Sequence, residues 1–219
     1  MIRSQVVSKQ RVADHGEVMT GQREVDSMIG MVEQEALRIE SRFLEPACGD
    51  GNFLADVLQR KLSVVERRYA KSQLEYERYA VLAISSIYGI DILQDNVEQC
   101  RQRLYDLLES GYRRLFSGRA KQSCLDAIQY ILERNIVWGD ALTLKTVDNN
   151  PGYIVFAEWS PVNGSLLKRR DFTFRELLAH QSTKELPLFS DLGDEVFVPT
   201  PEKEYAPVHF LELAHGHHE

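Results

Sequence analysis

Apolar residues recur along this chain either at helical spacing or in compact runs of four or five, and the two patterns take turns. From Glu17 to Arg38, residues Val18, Met19, Val25, Met28, Ile29, Met31 and Val32 fit a helix that begins near Gly21 or Gln22. Ser41 to Glu45 reads as a first strand, and a helical pattern then starts near Asn52 and continues to about Ala83. A second strand, Ser86 to Ile90, ends in Asp91, and Asp95 is the candidate cap of the helix through EQCRQRLYDLLESGYRRLF. A helix around Ser123 to Glu133 precedes a strand at Asn135 to Trp138, and the apolar run Tyr153 to Ala157 supplies a fourth strand. This alternation predicts an α/β fold with a doubly wound, mostly parallel sheet covered on both faces. Beyond it, Leu166 to Phe174 reads as a strand, Arg175 to His180 as a helical turn, and Val196 to Pro201 as a short edge strand, where prolines are tolerated.

With 219 residues, 43% of them hydrophobic, the chain suits one α/β domain with short appendages. The pattern divides it into an N-terminal arm and helix (1–40), a core (41–165) and a short C-terminal extension that completes the sheet and ends in a frayed tail (166–219). No stretch approaches the ~20 apolar residues that span a bilayer, and MIRSQVVSKQRVADHGE has no apolar signal core, so a cytoplasmic protein without membrane attachment is expected. Cys48, Cys100 and Cys124 lack metal-ligand spacing and read as free thiols. The ending His215-Gly216-His217-His218-Glu219 reads as a solvated terminus rather than a metal site. A net charge of −7 argues against broad phosphate-driven attraction to nucleic acid, so any DNA contact is local or supplied by a partner.

The chemistry concentrates in Phe43 to Leu54, FLEPACGDGNFL: an apolar run into an acid, a small-residue loop with Gly49 and Gly51, and Phe53-Leu54 opening a helix. Glycines suit such a turn where φ is positive or a ligand lies against the backbone, and the N–H groups of the helix start then face that ligand. Acids also end the next two strands, Asp91 in YGIDIL and Asp140 in IVWGDAL. In a doubly wound sheet the carboxyl ends of the strands converge on one small molecule. An acid after strand two can accept from both hydroxyls of a ribose, and one after strand three from an exocyclic amine of adenine. Ile92 and Ala141 stand beside them to sandwich a flat ring. A dinucleotide fingerprint is excluded, because its third glycine position is Leu54.

The glycine loop resembles motif I of S-adenosylmethionine-dependent methyltransferases, in the ExACGxGxFL form of the adenine-specific DNA methyltransferases of restriction-modification systems. Upstream, GEVMTG (Gly16 to Gly21) is similar to the segment that precedes motif I in this class, with Gly21 where the family usually has proline. The resemblance covers roughly Arg11 to Ala157 and implies a Rossmann-like class I methyltransferase core that binds S-adenosylmethionine. By it, Thr20, Glu45, Ala47, Cys48, Gly49, Gly51, Asp91, Ile92, Asp140 and Ala141 are the cofactor-binding residues.

One departure bears on activity. The family follows its fourth strand with an [NDS]PP[YFW] tetrapeptide that accepts from the adenine amine and stacks on the flipped base. This chain has Glu158-Trp159-Ser160-Pro161-Val162-Asn163 there. Glu158, Trp159, Ser160 and Pro161 are therefore the candidate catalytic residues, against a reading in which Trp159 packs on the sheet and Pro161 ends the strand. The implied function is N6-adenine DNA methylation by a transferase that needs a separate subunit for DNA recognition. Its alternative is a catalytically degenerate binding or regulatory subunit. Two further features stand out: the basic cluster Lys168-Arg169-Arg170, and the charged, tyrosine-rich segment Val64 to Tyr79, a candidate protein-partner surface.

Overall fold

In this computed structural model, which describes residues 20–178 and 200–215, helix α1 (Gln22–Met31) begins after Gly21 and buries Val25 and Ile29. The four-residue helix α2 (Glu33–Ala36) leads into β1 (Phe43–Glu45). The long helical run that follows is two helices, α3 (Asn52–Tyr69) and α4 (Gln73–Ser85). The break has a local cause: Ser72 is extended, at φ −126°, and its hydroxyl accepts from the Glu75 N–H to cap a new helix. Next come β2 (Ile87–Asp91), α5 (Gln94–Leu115), α6 (Gln122–Asn135) and β3 (Ile136–Asp140). Leu93 is the N-cap residue of α5, so Asp95 lies in its first turn rather than capping it, where a carboxylate still favours the helix dipole.

Strands β1, β2 and β3 pair in parallel in that spatial order, and the short β4 (Lys145–Thr146) closes the β3 edge antiparallel. The expected fourth parallel strand does not join them. Instead β5 (Val155–Pro161) pairs antiparallel with β6 (Leu166–Thr173) in a second sheet, and β7 (Lys203–Glu204) and β8 (Val208–His209) both pair with β6. The β3 edge is already occupied when the chain reaches β5. Residues 141–154 turn the chain back on itself, and β4 takes up the β3 edge of the parallel sheet. A bridge between Lys145 and Tyr153 folds the chain back at once. Of the predicted C-terminal elements, residues 174–178 are helical, residues 179–180 and 196–199 lie outside the described residues, and Thr200 and Pro201 are not in a strand.

Side chains alternate across β2, and the two faces meet different covers. Ile87 joins Leu54, Leu58, Ile84, Leu104, Leu108 and Ile128 in a core built with the helices. Tyr88 and Ile90 face the other way, against Ile154, Phe156 and Phe174, with the Tyr88 and Phe156 rings edge to face at 5.4 Å. Phe156 of β5 packs on this second face, while Ala157 and Trp159 of the same strand join the core built with the helices; the mixed α/β class and the mostly parallel sheet stand. Each fully buried aliphatic side chain in these layers contributes about 1.5–3 kcal/mol. Among the described residues no helix is long and apolar enough to cross a membrane.

Lys61 on α3 is fully buried, with its Nζ within hydrogen-bond reach of the carbonyls of Arg38, Ile39 and Ser41 and of the Ser86 hydroxyl, and burial lowers its pKa to about 7. One side chain therefore ties the α2–β1 connection to the start of β2, which sets where β1 enters the sheet.

Candidate functional site

The carboxyl ends of β1, β2 and β3 open onto a cavity of about 490 Å3. Gly49 and Gly51 both have positive φ, 51° and 83°, so the chain reverses between β1 and α3 in a conformation that side chains disfavour. Of the ten residues expected to bind a cofactor, Thr20, Glu45, Ala47, Cys48, Gly49, Asp91, Ile92, Asp140 and Ala141 line this cavity. Gly51 does not. A Cβ there would come within 2.6 Å of Cys100 Sγ, so this glycine lets α5 pack against the turn.

Each strand-end acid has its own setting. Asp91 is buried and holds the turn together: Oδ2 accepts from the Gly49 N–H at 2.8 Å, and Oδ1 from the Leu93 N–H at 2.9 Å and the Asn96 amide at 3.2 Å. Four lone-pair positions on a carboxylate leave it one acceptor site for a ligand. Asp140 accepts from the Leu142 N–H at 2.8 Å and the Thr143 hydroxyl at 3.0 Å, which hold its carboxyl below the usual range. Glu45 Oε2 is buried with no hydrogen-bond partner. Burial first, then the charges of Asp91 and Asp50, push its pKa up to about 8. The glutamic acid is therefore protonated at neutral pH.

That setting sets a sign for stability. The native state holds a proton on Glu45 up to about pH 8, whereas the unfolded chain releases it near pH 4.5, so this contribution is full at low pH and is lost as pH rises through 8. Glu45→Gln removes the dependence: between pH 5 and 9 the wild type should lose about 2 kcal/mol more stability than the variant, allowing for partial screening. Urea unfolding at the two pH values measures this, and equal losses would refute it.

Several residues in the cavity wall or bracing it carried no signal in the sequence. Arg103, on α5, donates to Asn52 Oδ1 at 2.7 Å and ion-pairs with Asp50, while Asn52 Nδ2 donates to the Thr20 carbonyl at 2.8 Å. This chain of contacts joins α5, the glycine turn and the Thr20 wall across more than thirty residues of sequence. Gly21 is the N-cap residue of α1, directly after Thr20. Trp138 Nε1 donates to the Ile92 carbonyl at 3.0 Å and sets the rim, where Ile92 and Leu142 are exposed, 44% and 95%. The one legible hint was Asn96, a polar residue in the first turn after a strand-end acid. Cys48, Cys100 and Cys124 are free and buried, and a hydrogen bond to Cys100, with burial, pushes the Cys48 thiol up.

The candidate catalytic segment lies elsewhere. Glu158, Trp159, Ser160 and Pro161 form the end of β5, in register with Arg170, Arg169, Lys168 and Leu167, and none lines the strand-end cavity. Glu158 is held between Arg42 and Arg170, each at 2.5 Å. Trp159 is 4% exposed, and its Nε1 donates to Asn135 Oδ1 at 2.9 Å. Glu158 instead borders a separate apolar cavity of about 530 Å3, with Tyr88, Phe156, Phe172 and Phe174 in its wall, on the β5 face of the sheet. The basic cluster is also accounted for: Lys168 pairs with Glu204, Arg169 with Asp171 and Arg170 with Glu158. Among the described residues no cluster of His, Cys, Asp and Glu could hold a metal ion.

Comparison of the chain with protein-family models, with curated proteins and with solved structures gives no match.

Proposed function

We propose that this chain binds S-adenosylmethionine at the carboxyl ends of β1–β3, in a Rossmann-like core akin to that of adenine-specific DNA methyltransferases. One observation carries the reading: the glycine turn and the acids Glu45, Asp91 and Asp140, chosen from the sequence as a cofactor set, line a single cavity of about 490 Å3. That volume suits a small-molecule site. The ligand's charge fits as well. Asp91 and Asp140 make the wall acidic, which favours a cationic ligand, and the orphaned Glu45 Oε2 would accept from an ammonium group, whose charge would favour release of the Glu45 proton. Ile92, Ala141 and Leu142 offer apolar surface to a ring, beside the Asp140 acceptor. Bound there, S-adenosylmethionine would supply an electrophilic methyl group.

The distance between Glu158–Pro161 and this cavity in the chain's architecture favours a cofactor-binding subunit whose acceptor chemistry and DNA recognition come from a partner. Glu158 is committed to two arginines, and Trp159 to the core. Titration calorimetry with S-adenosylmethionine and with its demethylated product tests the cofactor reading. Asp91→Ala should weaken binding by about 1.5–3 kcal/mol, through lost charge-assisted hydrogen bonds and a released turn. No heat of binding from the folded wild type would end the proposal. Transfer of labelled methyl to DNA by the chain alone would show instead that it is a complete enzyme.

A further inference from the structure

Helices α3 and α5 both start at the cavity and run away from it, for 18 and 22 residues, so their far ends lie about 27 and 33 Å along the helix axes. There the two turns, 66–78 and 109–121, close on each other. Arg114 meets both carboxylate oxygens of Glu66 at 2.7 and 3.1 Å, and Gln73 Nε2 donates to the Arg119 carbonyl at 2.7 Å. Beneath them the fully buried Glu77 accepts from the Tyr112 hydroxyl at 2.5 Å and from Lys121 Nζ at 2.8 Å. The two turns together hold eight Lys and Arg against four Glu, one of them the buried Glu77, in a chain whose net charge is −7.

The charges on this surface are available. Arg67, Arg68, Lys71 and Arg119 are exposed and make no ion pair with any described residue, in contrast to the neutralised Lys168-Arg169-Arg170 cluster. Basic residues in a last helical turn also compensate the helix dipole, which accounts for Arg67 and Arg68. It does not account for Lys71 and Arg119, which stand beyond the helix ends.

We propose that this surface holds the phosphate backbone of nucleic acid, without reading its sequence and independently of the cofactor site. A protein partner is disfavoured because an interface needs apolar anchors at its centre, and Leu74 is the one large apolar side chain strongly exposed in these turns. Base stacking is disfavoured too, since Tyr69 and Tyr79 stack on each other at 4.0 Å. What remains is a cluster of separate cations, which fits phosphate contacts that position a duplex rather than specify it. The acidic cavity stands at the opposite ends of the same helices, so nucleic acid would be gripped well away from it.

Fluorescence anisotropy with a labelled duplex of about 30 base pairs, titrated between about 50 and 200 mM salt, tests this. The full chain with Arg67→Ala, Arg68→Ala, Lys71→Ala and Arg119→Ala together should bind at least about tenfold more weakly at the low-salt end. Its plot of log affinity against log salt should flatten by about 3–4, at roughly 0.9 for each lost phosphate contact. Arg67→Ala with Arg119→Ala alone should give about half that change, so the result does not hang on one variant, while Lys168→Ala should leave binding as it was. Wild-type and fourfold-variant affinities that coincide, or no wild-type binding at low salt, would overturn the proposal. Equal binding of labelled polyglutamate and duplex would also overturn it, and would point to an acidic protein.

Discussion

Trp159→Ala is expected to lower the unfolding free energy by about 3–5 kcal/mol, among the larger costs a single core truncation carries. The side chain is 4% exposed, edge-on to the Tyr130 ring, and its Nε1 donates to Asn135 Oδ1 at 2.9 Å. Asn135 is itself fully buried and donates to the carbonyls of Ser85 and Ile87, at the entry to β2. Truncation therefore opens a cavity and strands an acceptor on a residue that aligns β2 with β3. Guanidinium unfolding measures the loss, and a change below about 1 kcal/mol would show that Trp159 is not a core residue. Cofactor affinity of the folded variant should hold, because neither Trp159 nor Asn135 lines the strand-end cavity.

Lys61→Met should cost a similar amount, about 3–5 kcal/mol, for a different reason. Methionine fills the space but leaves the carbonyls of Arg38, Ile39 and Ser41 without their donor, and an orphaned buried acceptor costs about 1–3 kcal/mol. Those carbonyls precede β1, so the variant should also loosen the strand that carries Glu45. Hydrogen exchange of the Phe43 N–H, which donates to the Ser86 carbonyl at 2.9 Å, provides a local readout. Unchanged exchange and unchanged stability together would show that Lys61 is not the tie between these elements.

Local chemistry determined much of this protein. The 3.6-residue spacing marked α1, α3, α5 and α6, compact apolar runs marked β1–β3, and the glycines and strand-end acids marked the cavity, because each signal is contained within a few residues. A helix boundary such as Ser72 was written there as well, but the apolar periodicity running across it from Val65 to Ala83 hid the break.

Tertiary structure decided what depends on partners far apart in the chain. That β5 would leave the parallel sheet followed from β4 taking the β3 edge and from the antiparallel register of β5 with β6, which composition does not encode. Whether a charge is free or spent was equally invisible. Lys168, Arg169 and Arg170 looked like the strongest basic cluster until Glu204 and Glu158 met two of them from neighbouring strands and Asp171 met the third along its own strand, whereas the turn that holds Arg67, Arg68 and Lys71 met the Arg119 turn only when two helical hairpins closed together. Likewise Arg103 reaches the glycine turn, and Trp159 reaches Asn135, from positions whose proximity arises only on folding, since a side-chain contact depends on distance in space and not along the chain.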